Sequence, residues 1–148
     1  MNDLRELYQE VIIDHSKHPR HHYNMAHATH RAQGYNPLCG DKLTVFVQID
    51  KDCIQEVSFL GCGCAISQAS ASLMTDAVSG LSLEAAHALF EQFHNMLTDE
   101  QSVQSLNMNK LTILAGVRAF PARVKCATLA WHTLEAALHH DAKTVVTE

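Results

Sequence analysis

Residues 36–64, NPLCGDKLTVFVQIDKDCIQEVSFLGCGC, contain the pattern that decides the fold. A hydrophobic set alternates with Thr44, Phe46 and Gln48 and predicts a strand buried mainly on one face; its members are Leu43, Val45, Val47 and Ile49. After a polar turn over residues 50–52, a second and shorter strand is predicted by Ile54, Val57 and Phe59. Because so few residues separate the two strands, we expect them to pair as an antiparallel hairpin.

Three residues with metal-binding side chains lie at the ends of this hairpin. Cys39 and Asp41 precede the first strand, and Cys64 follows the second. In a two-stranded hairpin the start of the first strand lies beside the end of the second, so the sequence predicts that these side chains meet at one end of the sheet. Nearby glycines permit the tight backbone that this convergence needs; they are Gly40, Gly61 and Gly63.

Helical periodicity flanks the hairpin on both sides. A first amphipathic helix ends before Pro19, and residues 18–38 form a long connection with room for one short strand. After the hairpin, one helix ends at Gly80 and the next is capped by Ser82. A polar linker over residues 98–109 leads to a short helix over residues 111–117 and a long helix that begins at Pro121. These elements predict one α+β domain over residues 1–148, in which helices cover one face of a small antiparallel sheet.

The composition excludes several classes of partner. With 47% hydrophobic and 18% charged residues, the chain has the balance of a globular protein. A net charge of -5 provides no basic field for nucleic acid or for an anionic membrane. No apolar run approaches the roughly 18 residues that span a bilayer, and the N-terminal residues form a polar helical pattern. We therefore expect a soluble, unexported, cytoplasmic protein.

The five cysteines are expected to be reduced thiols, since the count is odd and no secretion signal precedes them. Cys126 lies in the first turns of the last predicted helix, which could carry it to the same end of the sheet. Three thiolates and the Asp41 carboxylate form a set that suits zinc, and thiolates also suit iron-sulfur clusters. A helix N-terminus at Cys64, and Arg123 and Lys125 beside Cys126, are expected to favour the thiolate forms.

Simpler interpretations remain open for the same residues. A single cysteine usually packs as a small hydrophobic residue, and Cys53 fits that description. Asp41 could cap the start of a strand, and Arg123 and Lys125 could form a solvated helix face. The histidine-rich stretch near the N-terminus is expected to be exposed and to have no metal role; it comprises His15, His18, His21, His22, His27 and His30.

The chain resembles the SufU branch of the IscU/NifU-type iron-sulfur cluster assembly proteins. The matching segments extend over nearly the whole chain and are LYQEVIIDHSKHPR (7–20), NPLCGD (36–41), GCAISQASASLMTDAVSG (63–80) and GVRAFPARVKCATLAWHTL (116–134). The resemblance implies a SufE/NifU/IscU-like fold with a three-stranded antiparallel sheet, and hence a short strand before Pro37. It also implies a metal and sulfur site formed by Cys39, Asp41, Cys64 and Cys126.

The branch of the family decides the expected activity. Scaffold members typically have a histidine before the third cysteine and an LPPVK segment, whereas this chain has Lys125 and FPARVK. The resemblance therefore implies a zinc-bound sulfur acceptor that docks on a SufS-type cysteine desulfurase. It would take persulfide sulfur on Cys126, our first choice because it lies on a separate helix, or on Cys39. The sulfur would then pass to downstream iron-sulfur assembly or acceptor proteins.

Other activities remain to be distinguished. The main alternative is a scaffold that assembles a [2Fe-2S] cluster, or binds iron, through Cys39, Cys64 and Cys126. A structural zinc module is a further alternative, although the chain has no C-x2-C pair. A zinc hydrolase or deaminase is disfavoured, because its H-x-E and P-C-x2-C signature is absent. Cys62 could be an alternative ligand, a secondary sulfur carrier or an exposed thiol without a role.

Overall fold

A computed structural model describes residues 2–98, 109–139 and 145–146 of the chain. The elements, in chain order, are α1 (Asn2–Lys17), β1 (His30–Asn36), β2 (Asp41–Asp50), β3 (Cys53–Cys62), α2 (Ala65–Val78), α3 (Leu83–Thr98), a 3-10 helix (Asn109–Ala119), α4 (Pro121–Leu138) and β4 (Val145–Val146). The predicted α+β class is confirmed. None of the helices in the described ranges has the length and apolar character that crossing a membrane requires.

The strands form one sheet in the order β3-β2-β1-β4. β2 pairs antiparallel with both β3 and β1, so the predicted hairpin and the predicted strand before Pro37 are confirmed. β4 adds a fourth strand that pairs parallel with β1, which makes the sheet mixed rather than three-stranded and antiparallel. The prediction missed β4 because a strand of two residues is too short to show an alternating pattern.

The hairpin turn and the strand register place the functional end of the sheet. Lys51 and Asp52 both have positive φ, 53° and 61°, as a type I′ hairpin turn requires. At the opposite end of the hairpin, Asp41 lies across from Asn36 of β1, and the next residue along β2 lies across from Cys62 of β3. The ends of β1, β2 and β3 therefore meet where the metal-binding residues were expected.

Helix α4 packs closely against β1. A Cβ atom at Gly34 would collide with the Thr133 hydroxyl oxygen and lie 3.0 Å from a methyl carbon of Leu129, so only glycine allows this approach. Further along α4, Trp131 is buried and stacks on Phe93 of α3 with ring centroids 4.5 Å apart. These contacts fix the position of α4 across the sheet.

The predicted helix boundaries agree well with the structure. Gly80 has a φ of 84° just beyond the end of α2, and the Ser82 hydroxyl accepts a hydrogen bond from the Ala85 amide at 3.0 Å. Pro121 is the first residue of α4, and the predicted short helix is the 3-10 helix. Most of the predicted polar linker, residues 99–108, lies outside the described residues.

One histidine of the N-terminal stretch departs from its prediction. His15 is buried rather than solvated, and its Nδ1 lies 2.7 Å from the Ser72 hydroxyl of α2. The same hydroxyl accepts a hydrogen bond from the Arg20 amide at 2.8 Å, so Ser72 joins α1 and the following turn to α2. In the described ranges, no histidine belongs to a group of three or more ligand residues close enough to share a metal ion.

We predict a pH-dependent contribution of His87 to stability. Hydrogen bonding to the Glu135 carboxylate, with a smaller effect of Glu91, raises the pKa of His87. The attraction should therefore be fully present below about pH 6.5 and disappear as the pH rises through the raised pKa. His87→Ala should lower the melting temperature at about pH 6 more than at about pH 9. Glu135→Gln should remove most of this difference, and equal losses at both pH values would contradict the prediction.

Candidate metal centre

The loop between β1 and β2 positions Cys39 and Asp41. This loop is only four residues long, and Gly40 allows it to close because its φ is 72°. Cys39 is half-buried, while the preceding Leu38 is 64% exposed. Asp41 is the first residue of β2, and its side chain is fully buried. The loop therefore presents one partly accessible thiol beside one inaccessible carboxylate.

Cys64 enters the same region as the N-cap of α2. Its sulfur accepts a hydrogen bond from the Ser67 amide at 3.4 Å, which is the usual role of an N-cap side chain. The Cys64 amide in turn donates to Oδ1 of Asp41 at 2.8 Å, and the two side chains lie 3.9 Å apart, sulfur to Oδ2. The positive end of the α2 dipole therefore faces the buried carboxylate.

The glycine before Cys64 is required by this close packing. A Cβ atom at Gly63 would lie 2.5 Å from Oδ1 of Asp41 and 3.0 Å from its carboxyl carbon. Gly61 has a φ of 148°, and a Cβ atom there would collide with the Lys42 carbonyl oxygen. The G-x-G spacing thus lets the end of β3 pass close to the start of β2 and brings Cys64 beside Asp41.

Cys126 reaches the site from α4. Its side chain is fully buried, and its sulfur lies 3.0 Å from the sulfur of Cys39. The Ser70 hydroxyl of α2 donates to the Ala127 carbonyl at 2.5 Å, so α2 fixes the start of α4 at this point. The convergence of the last helix with the hairpin, which the sequence suggested, is present in the structure.

The four predicted ligands are unequally grouped. Ligand atoms of Cys39, Asp41 and Cys126 all lie within 4.8 Å of one another, while Cys64 is outside that group of three but touches Asp41. Four ligands around zinc, with zinc–sulfur bonds of about 2.3 Å, require sulfurs roughly 3.8 Å apart. To reach that geometry, the Cys39 and Cys126 sulfurs, now 3.0 Å apart, must separate and Cys64 must approach the group. Three sulfurs and one carboxylate are donors that fit zinc, and the sulfurs also fit an iron-sulfur cluster.

The protonation of Cys126 depends on its surroundings. Burial raises the pKa of this thiol far above its ordinary value, and hydrogen bonding to Cys39, Asp41 and Cys64 acts in the same direction. The net effect is opposite to the one expected from the neighbouring cations in the sequence. Without a metal ion, Cys126 is therefore a thiol that donates to the Cys39 sulfur. A bound cation would supply the charge that a thiolate needs at this depth.

The other two cysteines lie apart from this group. Cys62 is exposed and pairs directly across from Lys42, so the two side chains share the outer face of the sheet. The buried Asp41, one residue before Lys42, lies on the inner face. Cys53 is half-buried at the other end of β3. The structure therefore does not bring Cys62 to the predicted ligands, and it has the exposure of a free surface thiol.

One residue of the site was missed by the sequence analysis. Asn36 was interpreted only as part of a turn signal before Pro37, yet its side chain is fully buried. Its amide nitrogen lies 3.3 Å from Oδ2 of Asp41 and 3.5 Å from the sulfur of Cys126. The signal that could have identified Asn36 is its position across a short connection from Asp41, because residues that flank such a connection between antiparallel strands face one another.

Comparison with known proteins gives consistent matches over most of the chain. Residues 7–127 match the family model described as the NifU-like N-terminal domain. The iron-sulfur cluster assembly scaffold protein IscU of Streptococcus pyogenes serotype M1 is 42% identical over 142 residues, which are 96% of this chain and 89% of that protein. The zinc-dependent sulfurtransferase SufU of Bacillus subtilis strain 168 is 38% identical over 133 residues, 90% of each chain.

A solved structure supports the same assignment. It belongs to a candidate iron-sulfur cluster assembly scaffold protein for the SUF system from Fervidobacterium islandicum AW-1. The two chains are 35% identical and superpose with a TM-score of 0.82, covering 90% of this chain and 98% of the other.

We predict that Gly63→Ala weakens metal binding. The added methyl group would displace the Asp41 carboxylate or the end of β3, since it would lie 2.5 Å from Oδ1. We expect the zinc dissociation constant, measured by competition with a chelator, to rise at least about 10-fold. Gly116→Ala is the matched control, because no atom lies within 4 Å of a Cβ there. Unchanged affinity in Gly63→Ala would contradict the prediction.

Proposed function

The chain belongs to the family of NifU-like N-terminal domains, and from that premise we propose that it accepts sulfur for iron-sulfur cluster assembly at a zinc site. The proposed ligands are Cys39, Asp41, Cys64 and Cys126. The observation that carries the proposal is the grouping of two thiols and a buried carboxylate within 4.8 Å, with Cys64 at 3.9 Å from the same carboxylate. The relative in Bacillus subtilis, named as a zinc-dependent sulfurtransferase, supports this choice of metal and reaction.

Two of the proposed ligands are fully buried and two are half-buried. Cys126 and Asp41 are the fully buried pair, and Cys64, although half-buried, is held as the N-cap of α2. Cys39 is half-buried in a short loop beside the exposed Leu38. A sulfur donor that approaches from solvent can reach Cys39 more easily than Cys126. The sequence suggested Cys126 as the preferred sulfur acceptor, but Cys39 is more exposed. We therefore propose Cys39 as the acceptor and Cys126 as an anchoring ligand.

The proposed reaction is a thiol exchange. Zinc, when bound, stabilises the thiolate forms of its ligands and protects them from oxidation. The Cys39 thiolate attacks the outer sulfur of a cysteine persulfide on the donor protein, which we propose is a SufS-type desulfurase. A new sulfur–sulfur bond forms at Cys39 as the donor bond breaks, and the donor cysteine leaves as a thiolate. The exchange consumes no external oxidant, and the sulfur then passes to downstream assembly or acceptor proteins.

A second candidate is a scaffold on which a [2Fe-2S] cluster is the cargo. It is favoured by the name of the relative in Streptococcus pyogenes, an iron-sulfur cluster assembly scaffold protein. The same three thiols would bind the cluster, because thiolates are ligands for both zinc and iron-sulfur centres. The two candidates therefore differ in the occupant of one site and not in the site.

The metal content distinguishes these candidates. We expect untagged protein, purified without oxygen, to be colourless and to contain about one zinc per chain, as a four-ligand site requires. Cys126→Ser should lose the zinc, and Cys53→Ser, a cysteine away from the site, should retain it. Brown protein that contains iron and sulfide and absorbs visible light would instead support the scaffold.

The position of the transferred sulfur tests the acceptor. After incubation with a SufS-type desulfurase and cysteine, we expect mass-spectrometric peptide mapping to find the persulfide on Cys39. Cys39→Ser should abolish it, and Cys62→Ser should leave it unchanged because that thiol lies on the outer face of the sheet. A persulfide on Cys126 in the wild-type protein would show that Cys126 is the acceptor, as the sequence suggested, and would contradict the proposal for Cys39.

A further inference from the structure

We propose that Asn36 is a positioning residue of this site. Its side-chain amide fixes Cys126 and Asp41 and leaves Cys39 as the ligand that can be released. The inference rests on the proposed function in one respect, namely that the site binds a metal ion. The inference adds a structural reason why Cys39 exchanges and the other ligands do not.

The hydrogen bonds of Asn36 are directed at the site. Its side chain is fully buried at the end of β1. The amide nitrogen donates to Oδ2 of Asp41 at 3.3 Å and to the Cys126 sulfur at 3.5 Å. The carbonyl oxygen accepts from the Leu38 amide at 3.2 Å. An amide group has two N–H donors, so the contacts with these two ligands use its full donor capacity.

The other ligands differ in the donors that they receive. The Cys64 sulfur accepts from the Ser67 amide of α2, and Oδ1 of Asp41 accepts from the Cys64 amide. Among the described residues, the donor recorded at the Cys39 sulfur is the thiol of Cys126. Cys39 is therefore the one ligand of the four that receives no hydrogen bond from a backbone or side-chain amide in the described part of the chain.

The bond to Leu38 separates a fixed part of the loop from a movable part. It ties the loop to Asn36 one residue before Cys39. Beyond Cys39, Gly40 has a φ of 72°, and no atom lies within 4 Å of a Cβ placed there. Cys39 therefore lies between a fixed point and an open turn. Outer hydrogen bonds of this kind commonly set both the orientation and the affinity of metal ligands.

A neutral amide suits this position for an electrostatic reason. A carboxylate at residue 36 would repel Asp41 directly across the strand pair, and a cation would compete with the metal ion for the same negative ligands. An amide donates to both ligands and adds no charge. Asn36 can therefore hold Cys126 and Asp41 both before and after metal binding.

Two measurements on Asn36→Ala test the inference, with Gln33→Ala as the matched control on the exposed face of the same strand. The first is titration with Co2+, followed by its thiolate charge-transfer absorption and by competition with a chelator. We expect binding by Asn36→Ala to be about 10- to 100-fold weaker than by wild type, and binding by Gln33→Ala to be unchanged.

The second measurement is the order in which thiols react. Zinc-loaded protein is treated briefly with iodoacetamide and mapped by mass spectrometry, with the exposed Cys62 as internal reference. In wild type, Cys39 should react well before Cys126. In Asn36→Ala, we expect the ratio of the two rates to fall at least about 10-fold, because Cys126 is no longer held. A merely structural substitution would not change this ratio selectively.

The outcomes separate this inference from the proposed function. Wild-type protein that binds neither Co2+ nor zinc overturns the metal site itself. Wild-type binding with the same affinity and the same order of thiol reaction in Asn36→Ala overturns the inference and leaves the site intact. If circular dichroism shows that Asn36→Ala is unfolded, Asn36→Leu, which keeps the branched shape of the side chain without hydrogen bonds, replaces it. Failure of both variants to fold would assign Asn36 a structural role and overturn the inference.

Discussion

The buried carboxylate of Asp41 imposes the constraint that organises this end of the molecule. A buried charge is costly unless hydrogen bonds or a counter-charge compensate it. Asp41 receives the Cys64 amide at 2.8 Å and the Asn36 amide at 3.3 Å, and it faces the N-terminus of α2. These bonds fix the end of β1 and the start of α2 relative to β2. In the proposed function, a cation bound among the neighbouring thiolates would complete the compensation and link metal binding to the integrity of the loop.

The same constraint divides the site into a buried side and a more accessible side. Asp41 and Cys126 are fully buried where strands pair and helices pack. Cys39 occupies the part of the loop between the Leu38 amide, which is bonded to Asn36, and Gly40, whose surroundings are open. A site that must hold a metal ion and also offer a nucleophile benefits from this division. In the proposed function, Cys39 would be the ligand that moves toward a partner protein while the others keep the ion in place.

The sequence predicted what depends on local pairing. The hairpin, and with it the convergence of Cys39, Asp41 and Cys64, follows from alternation and from a short turn. The arrival of Cys126 depends on the close packing of α4 at Gly34, and no pattern within α4 itself reveals that contact. β4 was missed because two residues are too few to show an alternating pattern. His15 was predicted to be exposed because its partner, Ser72, is remote in the chain. Tertiary contacts between distant segments account for the limits at Cys126 and His15, and the short length of β4 accounts for the third.

Overall similarity does not separate the two activities that the relatives represent. The relative named as a scaffold and the one named as a zinc-dependent sulfurtransferase are 42% and 38% identical to this chain, a difference too small to choose between them. The distinction must come from residues at the site. Lys125 precedes Cys126, so no imidazole at that position is available as an additional ligand. In the proposed site, three sulfurs and the Asp41 carboxylate would complete the coordination of a single zinc ion, and the same sulfurs would serve a cluster, so the occupant of the site decides between the two activities.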